Sequence, residues 1–137
     1  MERAAMEAAV RGYFRAVEAG DGAALRALFA DDVRWRVPQG AIEPYAGLHE
    51  GAETVIEMML GAVAASFEAG SQHSEIRHLL CSDSLAVAEV EMRARTPEGA
   101  DYRNAYAFFF EFGGGRIQEI REHVDTRYAA DFFASGG

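Results

Sequence analysis

The chain has 137 residues, half of them hydrophobic, enough for one domain with a core of its own rather than a disulfide-stapled miniprotein. Thirteen basic against twenty-two acidic residues give a formal charge of −9; that field repels phosphate backbones and leaves no basic stripe for nucleic acid to follow. Cys81 is the only cysteine, which excludes an intramolecular disulfide and a cysteine-based zinc cluster and fits cytoplasmic residence.

Met6, Val10, Tyr13, Phe14 and Val17 recur at helical spacing with Glu7, Arg11, Arg15 and Glu18 opposite, predicting an amphipathic helix over 2–19. Charges at Glu2, Arg3, Glu7 and Arg11 interrupt any signal-peptide core. Gly20 ends this helix, and Asp21 can cap a short second one that buries Leu25, Leu28 and Phe29 and stops near Asp31-Asp32. Val33 to Val37 reads as a strand with Val33, Trp35 and Val37 on one face, closed by Pro38. Residues 39–51 form a loop holding Pro44, Tyr45, Gly47 and His49, long enough for a pocket rim. A third helix carries Ile56, Met59, Leu60, Val63 and Phe67 on a broad stripe that suits core packing or a pliable wall for an apolar ligand. From residue 73 the pattern changes to period two. Strands are predicted over 73–81, 85–95, 101–112 and 116–125, with turns at Ser82-Asp83, Thr96 to Ala100 and Gly113 to Gly115. Tyr128, Phe132 and Phe133 predict that the end docks onto the body, so one domain covers 1–134 and 135–137 is a flexible tail. No run of about 18 apolar residues occurs, so no membrane span is expected.

Three helices interrupted by one strand and followed by four more predict an α+β roll. Its three N-terminal helices pack on a curved, mostly antiparallel sheet and enclose a cone-shaped pocket. The segments GYFRAVEAGDGAALRALFADDVRWRVP, YAGLHEGAETVIEMM and YRNAYAFFFEFGGGRIQEIREHVDT resemble the SnoaL-like branch of the ketosteroid isomerase and NTF2-like superfamily, in the right order over nearly the whole chain. The resemblance implies that fold, a hydrophobic small-molecule ligand, no metal or organic cofactor, and a homodimer packed through the outer sheet face. The superfamily includes isomerases, epoxide hydrolases, polyketide cyclases and non-catalytic binding domains, so the reaction stays open.

Three catalytic patterns of the family can be laid onto the chain. The steroid isomerase pattern finds its tyrosine at Tyr13, but Val37 stands at the base and Phe108 near the second acid, and a hydrocarbon takes no proton. The limonene-type epoxide hydrolase pattern, an arginine with two acids, falls on Glu89, Glu91 and Glu122; without the arginine, adjacent carboxylates would repel. The polyketide cyclase pattern asks for an acid on the final strand in an apolar cavity, and Glu122 is its match. Alternation puts Ile120, Glu122 and Val124 on one face, where burial would raise the carboxyl pKa and make it a usable general acid or base. In this reading Glu91 modulates Glu122, while Tyr106, Asn104 and Tyr13 hold a ligand oxygen. Trp35, Met59, Phe108 and Ile120 are candidate walls, and His49 a rim contact.

Two questions stay open at the level of sequence. Alternation alone sends Glu89 and Glu91 to water and buries Ala86, Ala88, Val90, Met92 and Ala94, whereas the family pattern turns the glutamates inward. Phe108, Phe109 and Phe110 put large apolar groups on both faces of one strand, which argues for a covering partner subunit. The four histidines have no ligand-like spacing, so no metal site is expected.

Overall fold

The computed structural model describes residues 1–135 and consists of four helices and one six-stranded sheet. Helix α1 spans Arg3–Ala19 and buries Met6, Val10, Tyr13, Phe14 and Ala16. Gly20 stops it in the left-handed conformation (φ 67°), with its N–H returned to the carbonyls of Ala16 and Val17. Asp21 then caps α2 (Gly22–Leu28) by accepting from the Ala24 N–H at 3.0 Å.

Strand β1 runs from Phe29 to Val37, four residues longer than the alternation of Val33 to Val37 suggests, because Asp31 and Asp32 lie within it at a register shift against β6. The predicted loop contains a short strand, β2 (Gly47–Glu50), antiparallel to β1. Helix α3 covers Ala52–Ser66 and contributes Ala52, Val55 and Met59 to the core. Strands β3 (His73–Ser82), β4 (Leu85–Arg95), β5 (Asp101–Gly113) and β6 (Arg116–Val124) form an antiparallel meander. The β5–β6 turn takes positive φ at both Gly114 (60°) and Gly115 (79°), the combination that a two-residue hairpin matched to strand twist requires.

The sheet order is β2-β1-β6-β5-β4-β3, with β1 parallel to β6 and every other pairing antiparallel. The fold is therefore an open α+β arrangement with a mixed sheet. A fourth helix, α4 (Thr126–Ala134), follows the last strand, capped by Asp125 accepting from the Tyr128 N–H at 2.9 Å. Its Tyr128, Phe132 and Phe133 pack around Phe67 and Tyr102 in a second, smaller aromatic cluster. Ser135 closes this helix through a hydroxyl bond to the Phe132 carbonyl, and the rest of the expected tail, Gly136 and Gly137, lies outside the described residues.

Inner and outer faces of the sheet follow strict alternation on β4 and β5. Ala86, Ala88, Val90 and Ala94 are buried inward beside Tyr102, Asn104, Phe108 and Phe110, while Glu89, Glu91, Arg93 and Arg103 point to the other side. The small alanines let α1 approach the sheet closely enough for Tyr13 and Phe14 to meet Phe108 and Phe110 edge-on, the favoured aromatic geometry. Among the described residues no helix is long and apolar enough to cross a membrane.

Candidate active site

Between α1, α3, α4 and the inner sheet face lies a cavity of about 380 Å³, within the usual size range of small-molecule sites. Its wall is mostly apolar and aromatic, including Tyr13, Trp35, Met59, Tyr106 and Phe108, with Glu122 as its one carboxylate. β6 places Glu122 beside Phe108 of β5, and the parallel neighbour β1 brings Trp35 alongside. The Trp35 indole N–H donates to Glu122 Oε1 at 2.8 Å. Burial pushes the Glu122 carboxyl up to about 7, and the Trp35 hydrogen bond opposes that rise only in part. Both protonation states are thus populated near neutral pH.

Two phenols converge on the same space. Tyr13 has a single partner, Met59 Sδ at 3.8 Å, a weak acceptor that a ligand oxygen could replace at little cost. On the other side Asn104 Nδ2 donates to Tyr102 Oη (2.9 Å), which lies 3.0 Å from Tyr106 Oη. If Tyr102 gives its proton to Tyr106, the Tyr106 hydroxyl keeps its own for a group in the cavity. Burial, then the Glu122 charge, raises the pKa of Tyr13; Tyr106 is raised first by burial as well, so both stay protonated donors.

The other sequence candidates are distributed differently. Asn104 is buried behind the wall, where Nδ2 also bonds the Asp125 carbonyl (3.1 Å) and Oδ1 accepts from the Ala105 N–H; it orients Tyr102 rather than lining the cavity. Ile120 is fully buried in the core beneath Phe110 and does not reach the lumen. His49 sits on β2 opposite Trp35, with Nε2 2.6 Å from the Tyr45 carbonyl; it backs the indole, and Tyr45 is the rim residue that lines the cavity.

Glu89 and Glu91 require a correction. The alanine face of β4 packs inward, so both glutamates lie on the outer face, across the sheet from Glu122. Glu89 is exposed near His78. Glu91 pairs with Arg103 (3.1 Å) and Arg77 (3.2 Å), and the Arg103 bond holds its carboxyl below the ordinary range. Glu91 therefore does not modulate Glu122; burial and Trp35 do. Of the Phe108 to Phe110 run, Phe108 and Phe110 turn inward, while Phe109 is partly covered by its own strand neighbours, the Arg121 guanidinium 5.5 Å above its ring and the His123 edge.

Several lining residues escape the sequence reading, Tyr102 and Gln72 among them. Tyr102 shares the period-two face of Asn104 and Tyr106, so alternation could have found it. Gln72, in the α3–β3 connection, has no such pattern. Among the described residues no group of His, Cys, Asp and Glu is arranged to hold a metal ion.

Residues 10–120 match a family model described as SnoaL-like domain. No curated protein matches the chain significantly in sequence. Among solved structures, the chain is similar to an NTF2-like protein of unknown function from Burkholderia pseudomallei (TM-score 0.79, 23% identity, 93% of this chain and 95% of that one). It is similar also to Bal32a, from a soil-derived mobile gene cassette (TM-score 0.77, 28% identity, 93% and 94%). A third, TerC, co-crystallised with polyporic acid, superimposes with TM-score 0.80 at 15% identity over 93% and 95% of the two chains, a likeness of fold.

Proposed function

The chain belongs to the SnoaL-like domain family, and on that premise we propose a cofactor-independent enzyme of the isomerase, cyclase or hydrolase type that moves a proton on a hydrophobic, oxygenated small molecule. The observation that carries this reading is Glu122: a carboxyl in an apolar cavity, held by one indole N–H, with a pKa of about 7. Such a group can act as base or acid at neutral pH without a large energetic penalty for either form.

The proposed step uses Glu122 Oε2, since Oε1 is occupied by Trp35. The carboxylate takes a proton from a carbon next to a carbonyl, and the electron pair left behind passes to the carbonyl oxygen. Tyr106 and Tyr13 donate to the resulting enolate oxygen, which needs hydrogen bonds more than the starting ketone does. Where a double bond is conjugated with the enolate, return of the proton from Glu122 to its far carbon gives an isomer; attack of the enolate carbon on a second carbonyl of the same molecule gives a ring, and the alkoxide so formed takes the proton back from Glu122.

Deuterium exchange at the α-carbon of 2-tetralone, followed by NMR in D₂O, tests this without knowledge of the substrate. Wild-type protein should accelerate exchange with a pH profile rising through about 7, and Glu122→Gln should abolish the acceleration while still binding the ketone. Exchange unaffected by that substitution would remove Glu122 from the mechanism. The competing reading is binding without turnover, favoured by the Trp35 bond that ties down one carboxyl oxygen. It predicts that 2-tetralone quenches the emission of Trp35, the only tryptophan in the chain, with no exchange at all.

The reading extends to a cytoplasmic homodimer joined through the outer sheet face. Leu80, 70% exposed, stands opposite Val87, which stands opposite Phe109, so an apolar stripe crosses three strands between charged flanks. Sedimentation should give a dimer for wild type and a monomer for Leu80→Glu; a wild-type monomer sinks this part alone.

A further inference from the structure

We infer that Gln72 recognises a hydroxyl on the substrate at the end opposite Glu122, which makes the substrate an elongated molecule of at least two rings with polar groups at both ends. The inference rests on the cavity reading above and adds what the cavity selects.

Gln72 lines the cavity, and its Oε1 is buried with no hydrogen-bond partner. A buried amide oxygen without a donor forgoes the hydrogen bonds it had in water, so proteins rarely keep one unless something else supplies the bond. The side chain is not there by default of a loose loop. On one side Ser71 pins the chain, its hydroxyl donating to the Glu68 carbonyl (2.7 Å), with the Arg95 carbonyl 3.2 Å away, and accepting from the Arg95 N–H (3.1 Å). On the other side the Ser74 N–H donates to Glu18 Oε2 at 2.6 Å. Gln72 is thus held between two fastened residues, in a position that needs no reorganisation to meet a ligand.

Sheet order fixes where that position is. Gln72 directly precedes β3 at one edge of the meander, level with Ala94 and Tyr102, whereas Glu122 on β6 stands opposite Phe108, so the two lie three strands apart, about 14 Å across the sheet at ordinary strand spacing, and are offset along β5 by the stretch from Tyr102 to Phe108. Between them the lining is Met92, Phe108 and the Tyr106 ring, surfaces that suit flat apolar rings. A hydroxyl both donates and accepts, so it satisfies the amide whichever of its two ends faces the lumen. A molecule that places its reacting carbonyl at Glu122 and a hydroxyl at Gln72 fills both polar ends of an otherwise apolar space.

The test uses 4-hydroxybiphenyl and 4,4′-dihydroxybiphenyl as probes, with affinity from calorimetry and occupancy of the cavity from Trp35 emission. Wild-type protein should bind the diol about tenfold more tightly than the mono-ol, the gain of one hydrogen bond to a group that otherwise lacks one. Gln72→Leu should bring the two affinities within about twofold of each other and raise Tm by roughly 3 °C, because an unpartnered buried amide has been replaced by a hydrocarbon. Gln72→Asn keeps the amide but withdraws it by one methylene and should likewise lose the preference, which covers the case in which the leucine variant folds poorly. Equal affinities in wild type with both probes quenching Trp35 would overturn the Gln72 assignment and leave the cavity reading intact. A tenfold preference that survives in Gln72→Leu would overturn it too. If neither probe quenches Trp35, the cavity reading fails and takes this inference with it.

Discussion

Glu119 and Glu122 lie three residues apart on β6, on opposite faces of the sheet, and their chemistry differs in the direction opposite to simple burial. Glu119 is only 5% exposed, yet it is a settled anion: Arg34 (2.6 Å), Arg121 (2.7 Å) and Arg36 (3.4 Å) surround it. Burial would raise its pKa, but the hydrogen bonds from Arg121 and Arg34 outweigh that and hold it below the usual carboxylate range. Glu122 has a single neutral donor and no cation, so burial prevails and its pKa rises to about 7. Removal from water alone therefore does not raise a carboxyl pKa here; removal from water without a counter-charge does.

Four measurements would break or sharpen that contrast. The largest effect is expected in turnover: Glu122→Gln should reduce α-proton exchange by on the order of 10³-fold, whereas Glu119→Gln should leave its pH profile unmoved. Next comes stability against pH. A carboxyl whose folded pKa is raised contributes stability that is fully present below its unfolded pKa near 4.5 and is lost as pH rises through about 7. Urea denaturation should then show wild type losing about 3 kcal/mol relative to Glu122→Gln between pH 4 and pH 8. Equal slopes for the two proteins would mean that Glu122 is not buried in solution.

Glu119→Gln should behave with the opposite sign. Its lowered pKa contributes stability above the unfolded value, lost as pH falls through the folded one. We expect a cost of about 2 kcal/mol at pH 7 that fades on acidification, less than for a fully enclosed pair because all three arginines keep access to water. The smallest effect belongs to Trp35→Phe. Losing a hydrogen bond to the charged form should raise the Glu122 pKa further, read as a shift of the exchange profile to higher pH.

The same pair of residues shows what a sequence can reveal. Glu122 was legible because its neighbours Ile120 and Val124 are apolar and period two is a local rule, and its side chain does line the inner cavity. Glu119 was not, because two of its three arginines, Arg34 and Arg36, come from β1 through a parallel pairing, the Arg34 bond spanning eighty-five positions. The helices and the meander follow from periodicity and turn residues. Strand β2 does not, since Gly47–Glu50 has no apolar alternation and exists by pairing with β1. The nine residues of α4 showed their aromatic face but not their helicity, which depends on the Asp125 cap and on docking against Phe67 and Tyr102. The orientation of Glu91 was undecided in the sequence because alternation and the family pattern disagree there; the buried alanines on the opposite face decide which way β4 turns. Gln72 carried no signal at all; a lone amide in a connection becomes meaningful only once the walls around it are known.

The Trp35–Glu122 bond also joins two residues 87 positions apart, and that separation has a kinetic meaning. The β3 to β6 hairpins close over short turns and can form early, whereas β1 can take its place only after β6 has been made. On a ribosome, Glu122 is made long after Trp35 and meets the indole only when β1 pairs with β6. The one tryptophan of the chain therefore sits at a long-range contact between its first and second halves, and its emission in a stopped-flow refolding experiment should report when β1 pairs with β6.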